Sequence, residues 1–212
     1  VALAQLGDHA VVLVGADAPT QEGGHLIDAA ALRRARRGIA LAAELRLPLV
    51  TLVDTPGAEL SVRAEQQGLA AEIAHCLSDL LAVDVPTVSI LFGQGAGGAA
   101  LALFPADRVI AARDAWLAPL PPEGAAALVF DDPGRAAELA GPQRVWAAEL
   151  QKQGIVDQLA AGCAQVIGYV VEYLDDPATH ARLAAHLHDA AAVAPEVDVA
   201  PLPPQVHLVG ER

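Results

Sequence analysis

Two stretches, Leu47-Pro48-Leu49-Val50-Thr51-Leu52-Val53-Asp54 and Val85-Pro86-Thr87-Val88-Ser89-Ile90-Leu91-Phe92, are apolar almost without interruption. A strand with one wet face alternates between apolar and polar residues, whereas a near-continuous run suits a parallel sheet covered on both faces. Each run ends in a turn that contains glycine: Thr55-Pro56-Gly57-Ala58 after the first, and Gly93-Gln94-Gly95-Ala96-Gly97-Gly98-Ala99-Ala100 after the second. The residues that follow the second turn, Ala100 to Phe104, read as helix. Strand, glycine turn, helix is the expected order, with both turns at carboxyl ends of strands, where open α/β sheets bind ligands. Glycine lets the backbone bend sharply and lets a ligand approach it closely. The first amides of a helix have no helical acceptor, and such donors can hold an oxyanion that develops during acyl or carboxyl chemistry. The same turn without a ligand is a tight connection only, and the turn by itself leaves both readings open.

The remaining elements alternate. Ala10 to Val14 reads as a strand, Asp17 to Gly24 as a polar turn, and Ala29 to Leu45 as a helix with Leu32, Ala35, Ile39, Ala42 and Ala43 on one face. Arg33, Arg34, Arg36 and Arg37 cluster in that helix. They form either a solvated face with acids nearby or an anchor for ligand phosphates. Ala64 to Val83 reads as one helix, with Leu69, Ile73, Cys76 or Leu77, and Leu80 along its apolar stripe and His75 in a structural or surface role. Arg108 to Ala112 is a short strand, and Trp116 to Gly124 a proline-rich loop that enters a helix at Ala125, with Glu123 placed either to complement the helix dipole or to do acid–base work. Helices are expected at Ala136 to Leu139, Arg144 to Gln153 and Val166 to Leu174, with a strand or turn at Gly154 to Leu159. Pro177 starts a last helix through His188, and Ala194 to Arg212 reads as an extended tail, so that residues 1–193 form one domain. Alternating strands and helices set the class as α/β.

A net charge of −13 argues against general nucleic-acid binding, so an anionic substrate needs a local basic patch. Polar residues or glycine interrupt every apolar run before it reaches the length of a membrane span, and no basic leader precedes Val14, which together suggest a cytoplasmic protein with no membrane partner. Cys76 and Cys163 sit in apolar helical patterns and are expected as buried free thiols; no His/Cys cluster reads as a metal site.

Several short pieces carry a resemblance through their order and spacing. They are Ala31-Leu32-Arg33-Arg34-Ala35-Arg36-Arg37, the run from Leu47 to Ala58, Ala64-Glu65-Gln66-Gln67-Gly68, Gly93 to Ala100, Asp107-Arg108-Val109, Pro122-Glu123-Gly124-Ala125, and Gly154-Ile155-Val156-Asp157. From about Ala30 to Leu159 the chain resembles the carboxyltransferase component of biotin-dependent acyl-CoA carboxylases. More narrowly, it resembles the C-terminal, α-type half of the acetyl-CoA carboxylase carboxyltransferase, in the fused form of actinobacteria. The resemblance implies a crotonase-like (ClpP/crotonase) spiral of ββα units, and a site completed by an N-terminal, β-type carboxyltransferase half in a homo- or hetero-oligomer. It also implies transfer of a carboxyl group from carboxybiotin to the α-carbon of acetyl-CoA or a related acyl-CoA. Biotin would be the cofactor, carried on a partner protein, with biotin carboxyl carrier protein and biotin carboxylase as further partners and no metal. Carried over residue by residue, Gly98 and Ala99 become the oxyanion donors on the biotin side, with Gly57 and Ala58 as wall residues at the end of the preceding strand. Gly95 and Gly97 of the glycine turn, and Arg33 and Arg36 of the arginine cluster, are further substrate-binding candidates read from the residues themselves.

The chain departs from the family at two places. Glu59-Leu60-Ser61-Val62-Arg63 stands where the family has Tyr-Pro-Gly and a further glycine, and Gly95-Ala96-Gly97-Gly98-Ala99 stands where it often has Gly-Gly-Ser-Gly-Gly. These departures leave open an altered acyl preference, a malonyl-thioester decarboxylase subunit, or a structural half that completes a partner's site. Hydratases on related folds place a catalytic Glu where this chain has Leu101, and Clp-type proteases a serine near Gly97, so both of those reactive groups are missing.

Overall fold

The computed structural model describes residues 1–15, 26–179 and 181. The chain opens with β1 (Ala2–Leu6) and β2 (His9–Gly15), continues through α1 (Ala29–Leu45) to β3 (Leu49–Thr55), and then forms α2 (Val62–Gln66) and α3 (Leu69–Ala82). Next come β4 (Thr87–Ala96), α4 (Gly97–Leu101), β5 (Arg108–Ala112), β6 (Trp116–Ala118) and α5 (Pro122–Phe130). A 3₁₀ turn (Pro133–Arg135) leads to α6 (Ala136–Gln143), α7 (Ala147–Lys152), β7 (Gln158–Ala160) and α8 (Cys163–Asp175).

The strands form one sheet in the order β1-β2-β3-β4-β5-β7, antiparallel between β1 and β2 and parallel thereafter. β4 belongs to two ladders. Val88 to Leu91 pair with Arg108 to Ala111 of β5, whereas Gln94 to Ala96 pair with Trp116 to Ala118 of β6, which lies off the main path. Both faces are covered, as the unbroken apolar runs require. On one face Val12, Val14, Leu49, Val53, Leu91 and Val109 pack against Leu32, Ile39, Cys76 and Leu80 of α1 and α3. On the other, Val11, Val50, Val88, Ile90 and Ile110 pack against Val166, Val170 and Leu174 of α8. Leu32, Leu49, Leu91 and Ile110 are fully buried, each contributing about 1.5–3 kcal/mol relative to exposure.

Helix α1 holds the expected bounds because Asp28 Oδ1 accepts from Ala31 N–H at its start (2.7 Å) and Arg46 turns left-handed at its end (φ 53°). Its buried face includes Leu32, Ala35, Ile39 and Ala42, but Ala43 points to solvent. The single helix expected over Ala64 to Val83 is two. Ser61 Oγ caps α2 by accepting from Ala64 N–H (3.0 Å), and the chain then turns at Gly68, whose φ of +80° disfavours any residue with a Cβ, before α3 begins. On α3, Cys76 rather than Leu77 takes the buried position.

The proline-rich stretch is not all loop: Trp116–Ala118 is β6, and the following helix starts at Pro122, since proline suits a first turn whose N–H would have no acceptor. The helix expected from Arg144 begins at Ala147, because Arg144 is left-handed (φ 53°) and Val145 turns inward. Helix α8 starts three residues early, which puts Cys163 in its exposed first turn; only Cys76 is a buried thiol. Strand β1 escaped sequence reading because it is an edge strand, largely exposed, with little alternation to see. The turn at Asp17 to Gly24 and the tail from Ala194 lie outside the described residues, as does most of the helix expected from Pro177, of which residues 177–179 and 181 are helical.

Candidate functional site

Strands β3 and β4 run side by side into the two glycine turns. Val53 pairs with Leu91, but the next pair is Thr55 with Gly95, so β4 carries two extra residues between these points. Asp54 fills the gap: its Oδ1 accepts from Gln94 N–H (2.9 Å) and lies 2.6 Å from where a Cβ on Gly93 would stand. A side chain at Gly95 would meet Leu91, Leu117 and the Trp116 carbonyl within 2.9 Å. The expected turn across Gly93 to Ala96 is therefore strand, bulged at its middle, and the chain bends only at Gly97 (φ +65°).

Beyond Gly97 runs the single turn of helix α4. Ala96, its N-cap residue, is extended and gives no side-chain cap, and among the described residues no loop carbonyl accepts from the amides of Gly97, Gly98 or Ala99. Ala99 and Ala100 anchor α4 in the core, and Gly98 rests on Ile73 of α3. The β3 turn sits alongside. Thr55 Oγ1 accepts from Gly57 N–H and donates to Gly57 C=O, both at 3.1 Å, which holds Gly57 at φ +136° next to the Ala96 carbonyl. Ala58 bridges to Ile27, and Glu59 N–H donates to the Ile27 carbonyl (3.0 Å). Gly57, Ala58, Gly95, Gly97, Gly98 and Ala99 are thus gathered at one end of the sheet.

Arg33 and Arg36 lie in α1, bonded across to α3. Arg33 Nη1 donates to Glu72 (3.1 Å), Arg36 Nη1 to Glu72 (3.0 Å) and Arg36 Nε to Asp79 (2.6 Å). The hydrogen bonds to Asp79 and Glu72 raise the Arg36 guanidinium further. Burial alone would push the Glu72 carboxyl up, but hydrogen bonds from Arg36 and Arg33 outweigh it and hold Glu72 below its ordinary value. The network braces the helix that carries Ile73, the residue behind Gly98. Burial pushes the Cys76 thiol up to about 11, so it offers no nucleophile. His75 is exposed on α3. Among the described residues there is no group of three or more His, Cys, Asp or Glu fit to hold a metal, and no helix is long and apolar enough to cross a membrane.

Three contributors went unrecognised in the sequence. Asp54 read only as the end of an apolar run, Thr55 as turn filler and Ile73 as one member of a stripe. A carboxylate closing a buried strand opposite a glycine run is the signal that marks the first of them. Large apolar side chains also stand exposed in the segments that leave this end of the sheet: Leu60 (90%) and Val62 after β3, Leu101 after β4, and Leu120, Leu128 and Val129 after β6.

A family model described as acetyl co-enzyme A carboxylase carboxyltransferase-like matches residues 3–169. The probable biotin-dependent acyl-coenzyme A carboxylase beta3 subunit of Mycobacterium tuberculosis is 57% identical over 159 residues, 75% of this chain and 32% of that one. The acetyl-coenzyme A carboxylase carboxyl transferase subunit alpha of Rubrobacter xylanophilus is 41% identical over 127 residues, 60% of this chain and 40% of that one. The chain therefore spans about a third of the length of the mycobacterial relative. Among solved structures, the transcarboxylase 12S hexamer core matches with a TM-score of 0.67 and 22% identity, covering 97% of this chain and 38% of that one. A Pseudomonas malonate decarboxylase hetero-dimer matches with a TM-score of 0.67 and 18% identity, covering 90% of this chain and 86% of that one. The fold is the crotonase-like fold of these carboxyltransferases.

Proposed function

This chain belongs to the acetyl co-enzyme A carboxylase carboxyltransferase-like family, and from that premise we infer that it supplies one half of a site for carboxyl transfer from carboxybiotin to an acyl-CoA. The observation that carries the inference is the uncapped start of α4, with the Gly57 turn beside it. The amides of Gly98 and Ala99 are the donors, and the oxygen they receive is the ureido oxygen of biotin. The residues fit that group: Gly97 swings the chain so that α4 begins at the rim, and no side chain of the cap competes for its amides. Bound biotin supplies the carboxyl group on a nitrogen and, after its departure, a basic site for the acyl α-proton. This chain's part is to stabilise charge as it grows on one oxygen and to wall the site with Gly57, Ala58, Gly95 and Gly97. A matching oxygen on the acyl thioester is left to an N-terminal, β-type half. Backbone donors suffice for such work, and the loss of one costs about 3 kcal/mol of barrier in other enzymes. Arg33 and Arg36 reach CoA phosphates only by sharing or leaving Glu72 and Asp79. The biotin carboxyl carrier protein and biotin carboxylase complete the cycle, in an oligomer.

The test is biotin-dependent turnover of malonyl-CoA by this chain co-purified with a carboxyltransferase N-terminal half, before and after Gly98→Pro, which deletes the amide proton. Turnover that requires both chains and falls about a hundredfold in an intact complex supports the reading. Unchanged turnover after Gly98→Pro makes this chain a structural half. The likeness to a malonate decarboxylase favours a second reading, a malonyl-thioester decarboxylase subunit, which release of CO2 without carboxyl transfer to biotin would identify. Arg33→Ala/Arg36→Ala should weaken CoA-ester binding at low salt; unchanged binding limits both arginines to bracing α3.

A further inference from the structure

The chain that leaves the Gly57 turn is tied down and still presents apolar side chains to water. Ala58 bridges to Ile27, and Glu59 N–H donates to the Ile27 carbonyl (3.0 Å). Ser61 Oγ donates to Glu59 Oε1 (2.7 Å) and accepts from Ala64 N–H (3.0 Å), which caps α2. Ser61 is itself extended (φ −146°, ψ 154°), so the side chains before and after it project to one side. Those side chains are Leu60, 90% exposed, and Val62, 76% exposed. With Ser61, Glu65 and Gln66 they line an open groove of about 650 Å³.

We propose that Leu60 and Val62 are a platform for the acyl chain of the substrate, and that the site therefore selects an acyl-CoA several carbons longer than acetyl-CoA. The proposal rests on the reading of this chain as half of a carboxyl-transfer site. Position supports it. Leu60 lies three residues beyond Gly57, which stands beside the Ala96 carbonyl at the approach to α4. Three residues of extended chain reach about 10 Å at most. Carboxyl transfer brings the acyl α-carbon to within about 3–3.5 Å of the carbon it attacks, so the rest of the acyl group emerges within that reach. Charge supports it too. Among the residues that line the groove the one charge is Glu65, an acid, which repels CoA phosphates and the migrating carboxylate and leaves the uncharged acyl chain as the part that fits. The Ser61 hydroxyl is already engaged as donor and as acceptor, so the wall offers apolar contact. Extent argues against a protein as occupant, since five lining residues fall far short of the roughly 20–30 a side of a stable interface. An acetyl group has no atom to lay on the platform, whereas each methylene that covers it is worth up to about fourfold in kcat/KM.

The experiment assembles this chain with a carboxyltransferase N-terminal half and compares octanoyl-CoA with acetyl-CoA as carboxyl acceptors. The ratio of their kcat/KM values should favour octanoyl-CoA at least tenfold. Leu60→Ser/Val62→Ser should lower that ratio at least tenfold, Leu60→Met should keep it, and Leu81→Ser, exposed on α3, should leave it unchanged. The ratio is insensitive to partial loss of folded complex, and sedimentation of the complex is read beside it. A ratio that favours acetyl-CoA, or one that the double serine variant does not move, overturns the proposal. So does a double variant that fails to assemble while its remaining complex keeps the ratio, which would assign the surface to a partner chain. If no carboxyl group reaches either thioester, the catalytic reading fails separately, and calorimetry with octanoyl-CoA and acetyl-CoA decides on the platform. Tighter binding of octanoyl-CoA that the double variant abolishes upholds it, and equal or absent binding sinks it.

Discussion

Gly98→Ala separates the position of the amide from its presence. The added Cβ would stand 3.2 Å from Ile73 Cδ1 and 3.4 Å from Ile73 Cγ2, closer than ordinary contact. Either Ile73 leaves its rotamer, at about 0.5–1.5 kcal/mol, or α4 backs away by a few tenths of an ångström. Against this, alanine in a helix gains up to about 1 kcal/mol over glycine. The terms oppose and are of similar size, so stability should change by less than about 1 kcal/mol. Activity has no such compensation. Misplacing a reacting geometry by about 1 Å costs about a hundredfold, so a shift of a few tenths should lower biotin-dependent malonyl-CoA turnover about three- to tenfold. Ile73→Val deletes Cδ1, the nearest atom, and the double variant should recover most of that loss. Melting curves and turnover of the four proteins, in the assembled enzyme, complete the cycle. Turnover of Gly98→Ala equal to the unsubstituted enzyme, or no recovery with Ile73→Val, would refute the idea that α4 is placed against Ile73 to aim its amides.

Thr55→Val keeps the shape of a buried residue but removes both hydrogen bonds that hold Gly57; about 1–2 kcal/mol of stability should be lost in denaturant titration, with turnover falling further than the stability change accounts for. Glu72→Gln should lower the melting temperature at pH 7. Because the folded carboxyl lies below its unfolded value, the stability it adds is present above the unfolded pKa and is lost as pH falls through the folded one, so the gap between the two proteins should narrow progressively as pH falls below the ordinary carboxylate range. A gap that stays constant through that acid range would mean that packing, not charge, joins α1 to α3. A thiol reagent at pH 8 should label Cys163 at once and Cys76 only on unfolding, since the Cys76 thiol is buried and raised to about 11; fast labelling of both in the native protein would contradict the packing of α3 against the sheet.

The parts of the fold legible in the sequence are those fixed by local chemistry. The apolar runs before Asp54 and Gly93 announced buried parallel strands, and the stripe from Leu32 to Ala42 announced α1, because each pattern answers to its own neighbours on both faces. Boundaries set by a single backbone torsion stayed hidden: the break at Gly68 reads as one more polar residue within a helical run, and Arg144 carries no sign of its left-handed turn. Strand β6 was hidden for another reason. Three residues running straight into Pro119 carry no period, and they become a strand only because the far end of β4 is free to pair with them. The site followed the same division. The glycine positions were visible, while Ile73 and Asp54, which decide where those glycines stand, are 25 and 39 residues from Gly98 and Gly93 in the chain and meet them only through tertiary packing.

That division also bears on what the glycine run is for. Gly93 and Gly95 are explained by packing: a Cβ at either would stand within 3 Å of Asp54, or of Leu117, Leu91 and the Trp116 carbonyl. They would be glycine in a protein with no ligand at all. Gly97 is different, since a Cβ there has room, with only the Pro119 carbonyl at 3.5 Å, and its positive φ is what sends the chain from strand into helix. Gly98 is different again. Its φ suits any residue, and its one close neighbour is the flexible end of Ile73, which could move to admit a methyl group. Torsion does not demand glycine at Gly98, and packing disfavours a methyl group only on the side that meets Ile73, so the amide at the bare start of α4 is what remains to be tested there. A backbone that must lie bare at the rim, beside Gly57 and above the uncapped start of a helix, is what a site working through amides requires, and it is why Gly98 rather than Gly95 is the residue on which the catalytic reading should be tried.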